Sequence, residues 1–238
     1  RGSAALRPFF EKLQKTRAKV QAVSIDMAGG YIKAVEENLP QATLVFDRFH
    51  IVKLMNEKLT QLRREQYNLA QDMQMKAVLK GIRWLLLMNG DPPTPKGKPI
   101  RRLGQRKIGM EQRRLADLSR LRAALELNLP LSTAYIMKEE LRMLWSFGSK
   151  ADADEYLQNW CRRPDVSAIG VLKTMAQTLR KYARQILNWY DERISSGPLE
   201  GTNNKIKLLQ RRAYGYRNRN HFILRIETLH TTKVRLVG

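Results

Sequence analysis

Two short apolar stretches decide the fold of this chain. Residues 20–26 read VQAVSID and residues 42–47 read ATLVFD. The first alternates and is rich in β-branched residues, whereas the second is continuously apolar, which is typical of a strand covered on both faces. Gly29 and Gly30 follow the first stretch and precede a helical pattern that Pro40 ends. We therefore predict a strand-helix-strand unit with a parallel pair of strands.

Helical periodicity dominates the rest of the sequence. One amphipathic helix is predicted over residues 5–19, and a long helix with an apolar stripe follows His50 and extends towards Met88. The stripe consists of Ile51, Met55, Leu59, Leu62, Leu69 and Met73. Further helices are predicted near residues 112–127, 133–147, 150–162, 168–192 and 198–212, with a last one around residues 222–229. The fold class is therefore α/β but mostly helical.

Single residues add detail to this pattern. Ser149 is predicted to cap the helix that follows it. The four tryptophans lie on apolar helical faces and are expected in the core, at positions 84, 145, 160 and 189. Residues 91–110 contain four prolines and three glycines, which predicts an exposed loop. Its basic side chains are Lys96, Lys98, Arg101, Arg102, Arg106 and Lys107.

The charge and composition of the chain exclude several classes of protein. Its 238 residues include 44 Lys and Arg against 22 Asp and Glu, a formal net charge of +22. With 43% hydrophobic residues the chain can bury a core, so it is not a disordered basic tail. The single cysteine, Cys161, excludes a disulfide framework and a cysteine-rich zinc site. No apolar run is long enough for a membrane span, so we expect an intracellular protein that binds nucleic acid.

Two aspartates follow the predicted strands directly. Because the carboxyl ends of adjacent parallel strands meet at one crevice, Asp26 and Asp47 are expected to lie near each other. Carboxylates are the ligands that hard divalent cations prefer, and phosphoryl transfer uses such cations. Helix capping is an equal alternative for each aspartate.

Two further residues are candidates for chemistry. His50 follows Asp47 by three residues, so both side chains can lie on one side of a first helical turn. A structural role is the more common one for such a histidine. Glu200 is the third residue of a helix opened by Pro198, where glutamate ordinarily caps backbone amides. Gly201 and the asparagines after it are poor helix formers, and such local conflicts favour a functional role.

A basic segment with aromatic residues follows Glu200. Cations pair with phosphates and aromatic rings stack on bases, which favours nucleic-acid binding over a merely solvated helix end. The candidate DNA-binding residues are Lys205, Lys207, Arg211, Arg212, Tyr214, Tyr216, Arg217 and Arg219.

These segments together resemble the ISL-three family of insertion-sequence transposases, which are DDE transposases with a ribonuclease-H-like core. The resemblance is carried by VSIDM (23–27), VFDRFHIVK (45–53), LKGIRWLL (79–86) and residues 196–220, and covers almost the whole chain. GPLEGTNNKIK (197–207), followed by RRAYGY (211–216), is its most specific part. The basic loop at 91–110 is longer than the family pattern implies.

The resemblance implies roles for the candidate residues. Asp26 would be the second catalytic aspartate and Glu200 the catalytic glutamate, and both would bind Mg²⁺ or Mn²⁺. Asp47 and His50 would form the acidic-x-x-His signature beside the active site. Residues 1–58 would be the first part of a partial ribonuclease-H-like core, 59–193 a helical insertion domain, and 194–238 the second part of the core.

The first catalytic aspartate of the family has no counterpart here, and the chain starts with Arg1 rather than methionine. We therefore expect an N-terminally truncated transposase whose own activity is uncertain. The expected partner is transposon-end and target DNA, in an oligomeric synaptic complex, in the cytoplasm at the nucleoid. A catalytically inactive DNA-binding remnant is the alternative, and an RNA-associated basic protein is a weaker one.

Overall fold

The computed structural model describes residues 6–16, 18–88 and 105–228, with residues 105–112 described by their backbone. The chain divides into two compact units, Arg1–Arg193 and Ile194–Gly238. Each unit is described separately below.

A parallel strand pair lies in the first unit. Strand β1 (Ala22–Ile25) and strand β2 (Thr43–Phe46) pair in register from Ala22 opposite Thr43 to Ile25 opposite Phe46. Helix α2 (Gly29–Asn38) connects them. The predicted strand-helix-strand unit and its parallel pairing are therefore confirmed. β2 is more deeply buried than β1, which explains its continuously apolar sequence.

Helices make up most of the first unit. Besides α2, they are α1 (Arg7–Lys15), α3 (Arg48–Leu69), α4 (Met73–Gly81), α5 (Gln105–Glu126), α6 (Leu129–Met143), α7 (Lys150–Val166), α8 (Gly170–Lys181), α9 (Ala183–Leu187) and α10 (Trp189–Glu192). Long helix α3 packs against α4, α6 and α8, and its inward residues Ile51, Met55 and Leu59 are fully buried. A short 3-10 turn at Leu85–Leu87 also contacts α3.

The prediction of one continuous helix after His50 is wrong. α3 ends at Leu69, and the carboxylate of Asp72 accepts hydrogen bonds from the backbone N–H groups of Gln74 (3.1 Å) and Met75 (3.2 Å) to start α4. Because the chain turns here, Leu69 and Met73 are 73% and 76% exposed. The capping signal at Asp72 therefore overrides the apolar periodicity.

Three other predictions are corrected. Trp84 is 68% exposed, with the Arg83 guanidinium 4.7 Å from its ring centroid, whereas Trp145 and Trp160 are buried and Trp189 is half-buried. Residues 168–192 form three helices rather than one. Residues 105–110 belong to α5 rather than to a loop, so Arg106 and Lys107 lie in a helix. The other basic residues of that segment, Lys96, Lys98, Arg101 and Arg102, lie outside the described residues.

The two edges of the strand pair differ. α9 and α10 pack on β2, and the Asn188 side-chain amide donates to the Leu44 carbonyl oxygen (3.0 Å). On the other side, no strand pairs with the outer edge of β1 within the part of the chain that the structure describes. The Ser24 hydroxyl on β1 is buried without a hydrogen-bond partner there. Among the described residues, β2 is therefore the only strand that pairs with β1.

The second unit consists of helices α11 (Gly197–Arg212) and α12 (Arg219–Glu227), joined by a short turn. None of its described residues is fully buried. Among the helices of the described ranges, none is both long enough and apolar enough to cross a membrane.

Candidate functional site

Asp26 lies directly after β1, at the carboxyl end of the strand. Its Oδ1 accepts a hydrogen bond from the backbone N–H of Ala28 (3.1 Å), which turns the chain towards α2. The N-terminal cap of α2 is Ala28 and not Asp26. Asp26 is half-buried and lines a pocket of about 180 Å³ that is open to solvent. Its carboxylate is therefore accessible to a ligand.

Asp47 lies at the carboxyl end of β2 but has different surroundings. Its Oδ1 accepts a hydrogen bond from the backbone N–H of Phe49 (2.8 Å), which caps the N-terminus of α3. The residue is only 3% exposed and is not among those that line the Asp26 pocket. Asp47 is therefore the N-terminal cap of α3, as the capping alternative predicts. Asp26 accepts a backbone hydrogen bond just before α2 but is not the cap of that helix.

His50 lies in the first turn of α3 and lines the same pocket as Asp26. Its ring contacts the Phe49 ring edge-to-face, with 5.4 Å between the centroids. The βαβ connection thus brings together two of the predicted residues, Asp26 and His50, across 24 positions of sequence. An imidazole beside an accessible carboxylate can take up or release a proton from a bound ligand.

Two functional candidates in this pocket were not predicted from the sequence. Lys53 and Glu57 lie on α3 and complete the polar lining, with Met27, Ala28 and Leu54 as the other lining residues. His50, Lys53 and Glu57 are spaced three and four residues apart, so they share one face of the helix. This spacing is visible in the sequence, but it indicates a site only once residues 26–28, which follow β1, are known to line the same pocket as that face.

The pocket by itself does not supply a full set of ligands for a divalent cation. The structure describes no group of three or more His, Cys, Asp or Glu side chains close enough to hold one metal ion. Asp26 has the right chemistry for a hard cation, because one of its oxygens is free of the Ala28 hydrogen bond. Asp26 by itself could supply only one ligand to such a cation.

Glu200 lies in the first turn of α11 in the second unit. Its backbone N–H donates to the Ser196 carbonyl oxygen (2.9 Å), and its side chain is exposed. Proline stands in the first turn before it, as predicted. An acidic side chain here is favoured by the positive end of the helix dipole, whether or not it has a further function.

The helical spacing of α11 places Glu200 on a polar face. Glu200, Asn204, Lys207 and Arg211 are separated by four, three and four residues, so they form one exposed row. The opposite face carries the half-buried residues Thr202, Ile206 and Leu209. Lys205 and Arg212 form a second exposed row on the flank of the helix. α11 thus presents an acidic residue at its start and cations along the same face.

The remaining predicted DNA-binding residues lie at the α11–α12 turn. Tyr214, Arg217 and Arg219 are exposed, whereas Tyr216 is half-buried. The Asn218 side chain accepts a hydrogen bond from the backbone N–H of His221 (3.1 Å) and caps α12. The six cations Lys205, Lys207, Arg211, Arg212, Arg217 and Arg219 are all exposed, and we refer to them as the basic surface of the second unit.

Comparison with known families identifies this chain. The family model DDE_Tnp_ISL3, described as Transposase, matches residues 1–226. The chain belongs to this transposase family. The resemblance drawn from residues 23–27, 45–53 and 196–220 is therefore confirmed at the level of the family.

Relatives of this transposase-family chain carry the same description. It is 34% identical over 229 residues to the transposase for insertion sequence element IS1001 of Bordetella parapertussis, covering 95% of this chain and 52% of the relative. It is 27% identical over 232 residues to the transposase for insertion sequence element IS1557 of Mycobacterium tuberculosis, covering 90% of this chain and 49% of the relative. The chain thus spans about half the length of these relatives. No solved structure matches it.

Proposed function

We propose that this chain is part of a DNA transposase that hydrolyses phosphodiester bonds and transfers strands at transposon ends. The observation that carries the proposal is the accessible Asp26 carboxylate beside His50 at the end of a parallel strand, in a chain of a transposase family. Open α/β sheets bind ligands at this position. Asp26 and Glu200 are the proposed catalytic carboxylates, and His50 shares the pocket of Asp26.

A divalent cation, Mg²⁺ or Mn²⁺, is the proposed cofactor. When bound, it would neutralise charge on the scissile phosphate and on the attacking and leaving oxygens. Asp26 and Glu200 would be two of its ligands. Asp47 is proposed to act beside the site by fixing the start of α3, because its carboxylate caps the helix that carries His50.

The proposed core is ribonuclease-H-like and incomplete within this chain. The outer edge of β1 supports this proposal, because Ala22 and Ser24 have no strand partner on that side among the described residues. A further strand parallel to β1 on that side would bring its own carboxyl end next to Asp26, where it would supply a further ligand. The half-length match to the relatives is consistent with that arrangement.

The DNA is proposed to bind along the exposed row of α11 that contains Glu200, Lys207 and Arg211. Lys207 and Arg211 lie on the same helical face as Glu200, so phosphates bound by these cations would lead along the helix towards the carboxylate. Positioning and charge stabilisation do most of the work in such transfers, since the protein forms few covalent bonds. Assembly as a homo-oligomer on DNA at the nucleoid completes the proposal.

A binding function without catalysis is the second candidate. It is favoured by one observation, the absence of a three-ligand metal group among the residues that the structure describes. In that case the basic surface would hold DNA and the Asp26 pocket would carry out no reaction.

Strand cleavage at transposon-end DNA separates these candidates. In a transposase that carries this chain, Asp26→Asn and Glu200→Gln should each reduce Mg²⁺-dependent cleavage to background while leaving the Kd for the DNA unchanged. Glu36→Gln and Glu227→Gln are matched controls on exposed acidic residues of α2 and α12 and should cleave normally. Wild-type cleavage by either active-site variant would overturn the catalytic assignment.

A further inference from the structure

The turn between α11 and α12 holds an exposed tyrosine in an unusual backbone conformation. Tyr214 has φ of 50° and Gly215 has φ of 98°. Tyr214 is fully exposed, at 102% of the reference area for the residue. Left-handed backbone is readily adopted by glycine and disfavoured for a bulky side chain. The conformation and the exposure both need a reason.

The backbone hydrogen bonds that end α11 do not require a tyrosine at this position. The helix ends with hydrogen bonds from Tyr214 N–H to the Arg211 carbonyl (3.1 Å) and from Gly215 N–H to the Gln210 carbonyl (3.0 Å). Glycine is the usual residue at the left-handed position of such a helix end. A tyrosine here adds backbone strain and is fully exposed, so packing of its side chain does not offset the strain. Local strain of this kind is typical of binding sites.

The neighbouring tyrosine has a different environment. The Tyr216 ring stacks on Phe222, with centroids 4.8 Å apart and an angle of 28° between the planes. It also contacts the His221 ring edge-to-face at 5.9 Å. Tyr216 therefore packs the turn against α12, whereas the exposed Tyr214 has no such packing role.

Basic residues lie close to Tyr214 in the sequence. Arg211, Arg212, Arg217 and Arg219 flank it within five positions and are all exposed. No acidic residue occurs between Glu200 and Glu227. Arginines at this density hold phosphates, and an aromatic ring among them is suited to the flat face of a base.

We propose that Tyr214 is a base-stacking residue, whose ring covers the face of an unpaired or extruded DNA base while the flanking arginines hold the backbone. This inference rests on the proposed DNA-binding function and adds a class of substrate, namely DNA that contains an unpaired or extruded base. Bases inside a duplex present only their edges in the grooves, so a stacking side chain selects DNA in which one base is out of the helix. Tyr216 is not part of this contact.

The test compares two DNA hairpins with the full 238-residue chain, using fluorescence anisotropy. The hairpins share one stem sequence and are closed by a non-nucleotide linker, so that neither has unpaired loop bases, and one of them carries a single bulged nucleotide. Wild type should bind the bulged hairpin more tightly than the plain one. Tyr214→Ala and Tyr214→Gly should raise the Kd for the bulged hairpin by about 5- to 150-fold, the range expected for loss of one base-stacking contact, and leave the Kd for the plain hairpin unchanged. Tyr214→Trp should retain the preference.

The glycine variant also controls for folding. Tyr214→Gly relieves the left-handed strain, so its unfolding midpoint should be no lower than that of the wild type. If Tyr214→Ala and Tyr214→Gly bind the bulged hairpin as the wild type does, or lose affinity equally for both hairpins, the stacking proposal is overturned. Salt-sensitive binding of both hairpins without any preference would overturn it and leave DNA binding intact. A wild-type chain that binds neither hairpin would overturn both proposals.

Discussion

The salt dependence of DNA binding tests the basic surface quantitatively. The perturbation is the double variant Lys207→Gln with Arg211→Gln, which removes the two cations that share a helical face with Glu200. Both side chains are exposed in α11, and glutamine keeps helix propensity close to that of lysine and arginine. The variant should therefore fold normally.

The expected size of the effect follows from the number of exposed cations. Each phosphate contact contributes about 0.9 to the slope of log K against log salt. If all six cations of the basic surface contact phosphates, the slope is about −5.4, and the double variant should have a slope of about −3.6. Between 50 and 200 mM salt the wild type should then lose about 2,000-fold in affinity and the variant about 150-fold.

Fluorescence anisotropy with a short duplex at several salt concentrations measures both slopes. The matched control is Lys12→Gln with Lys15→Gln, which removes two exposed cations from α1. Its slope should equal that of the wild type. A slope that is unchanged in the α11 variant, or reduced as much in the α1 variant, would refute the argument that the second unit holds the DNA.

Two further predictions concern stability. Burial raises the pKa of the Cys161 thiol from 9.0 to about 11. The unfolded chain therefore releases this proton first as the pH rises from 9.0 towards 11, and the free energy of unfolding should fall by up to about 2.7 kcal/mol at about 1.36 kcal/mol per pH unit. Urea denaturation should show this alkaline loss in the wild type and a smaller one in Cys161→Ala; equal losses would contradict it. Asp47→Ala removes the buried cap of α3 and should lower the free energy of unfolding by about 1–2 kcal/mol, and Asp47→Asn, which keeps an acceptor for Phe49, by less. An unchanged denaturation midpoint for Asp47→Ala would argue against the capping role.

The strand pair could be predicted because its signals are local. A β-branched stretch, two glycines, a helical pattern ended by Pro40 and a second apolar stretch leave few topologies, and the parallel pair follows from the short crossover. Ser149 was predicted as a cap for the same reason, and its hydroxyl accepts a hydrogen bond from the Asp152 N–H (3.1 Å).

Other features depend on contacts that the sequence does not display. Lys138 is 2% exposed, and its ammonium donates to the carbonyl oxygens of Leu86 (3.0 Å) and Met88 (2.8 Å). Burial lowers the pKa of this lysine, and an adjacent ion pair with Glu139 offsets part of that effect. A lysine in a helix is ordinarily exposed, so nothing local predicts that it closes the end of a 3-10 turn some fifty residues away.

The candidate site was predictable in part. Asp26 and His50 could be proposed from strand ends and spacing, because the βαβ connection fixes where α3 begins. Glu57 could not, since its place in the pocket depends on how α3 packs beside residues 26–28, which follow β1. The exposure of Trp84 was also missed, because helical periodicity stops where the chain enters the 3-10 turn and no longer indicates which side is inward.

Iron-directed cleavage of the polypeptide tests most directly whether Asp26 and Glu200 share one metal ion. Fe²⁺ substitutes for Mg²⁺ at oxygen-ligand sites, and with ascorbate and peroxide it cuts the backbone near the bound ion. In a transposase that carries this chain, the account predicts cuts close to both Asp26 and Glu200, both suppressed by excess Mg²⁺ and both lost in Asp26→Asn. Cuts near only one of these residues, or cuts near both that survive in Asp26→Asn, would contradict a shared site.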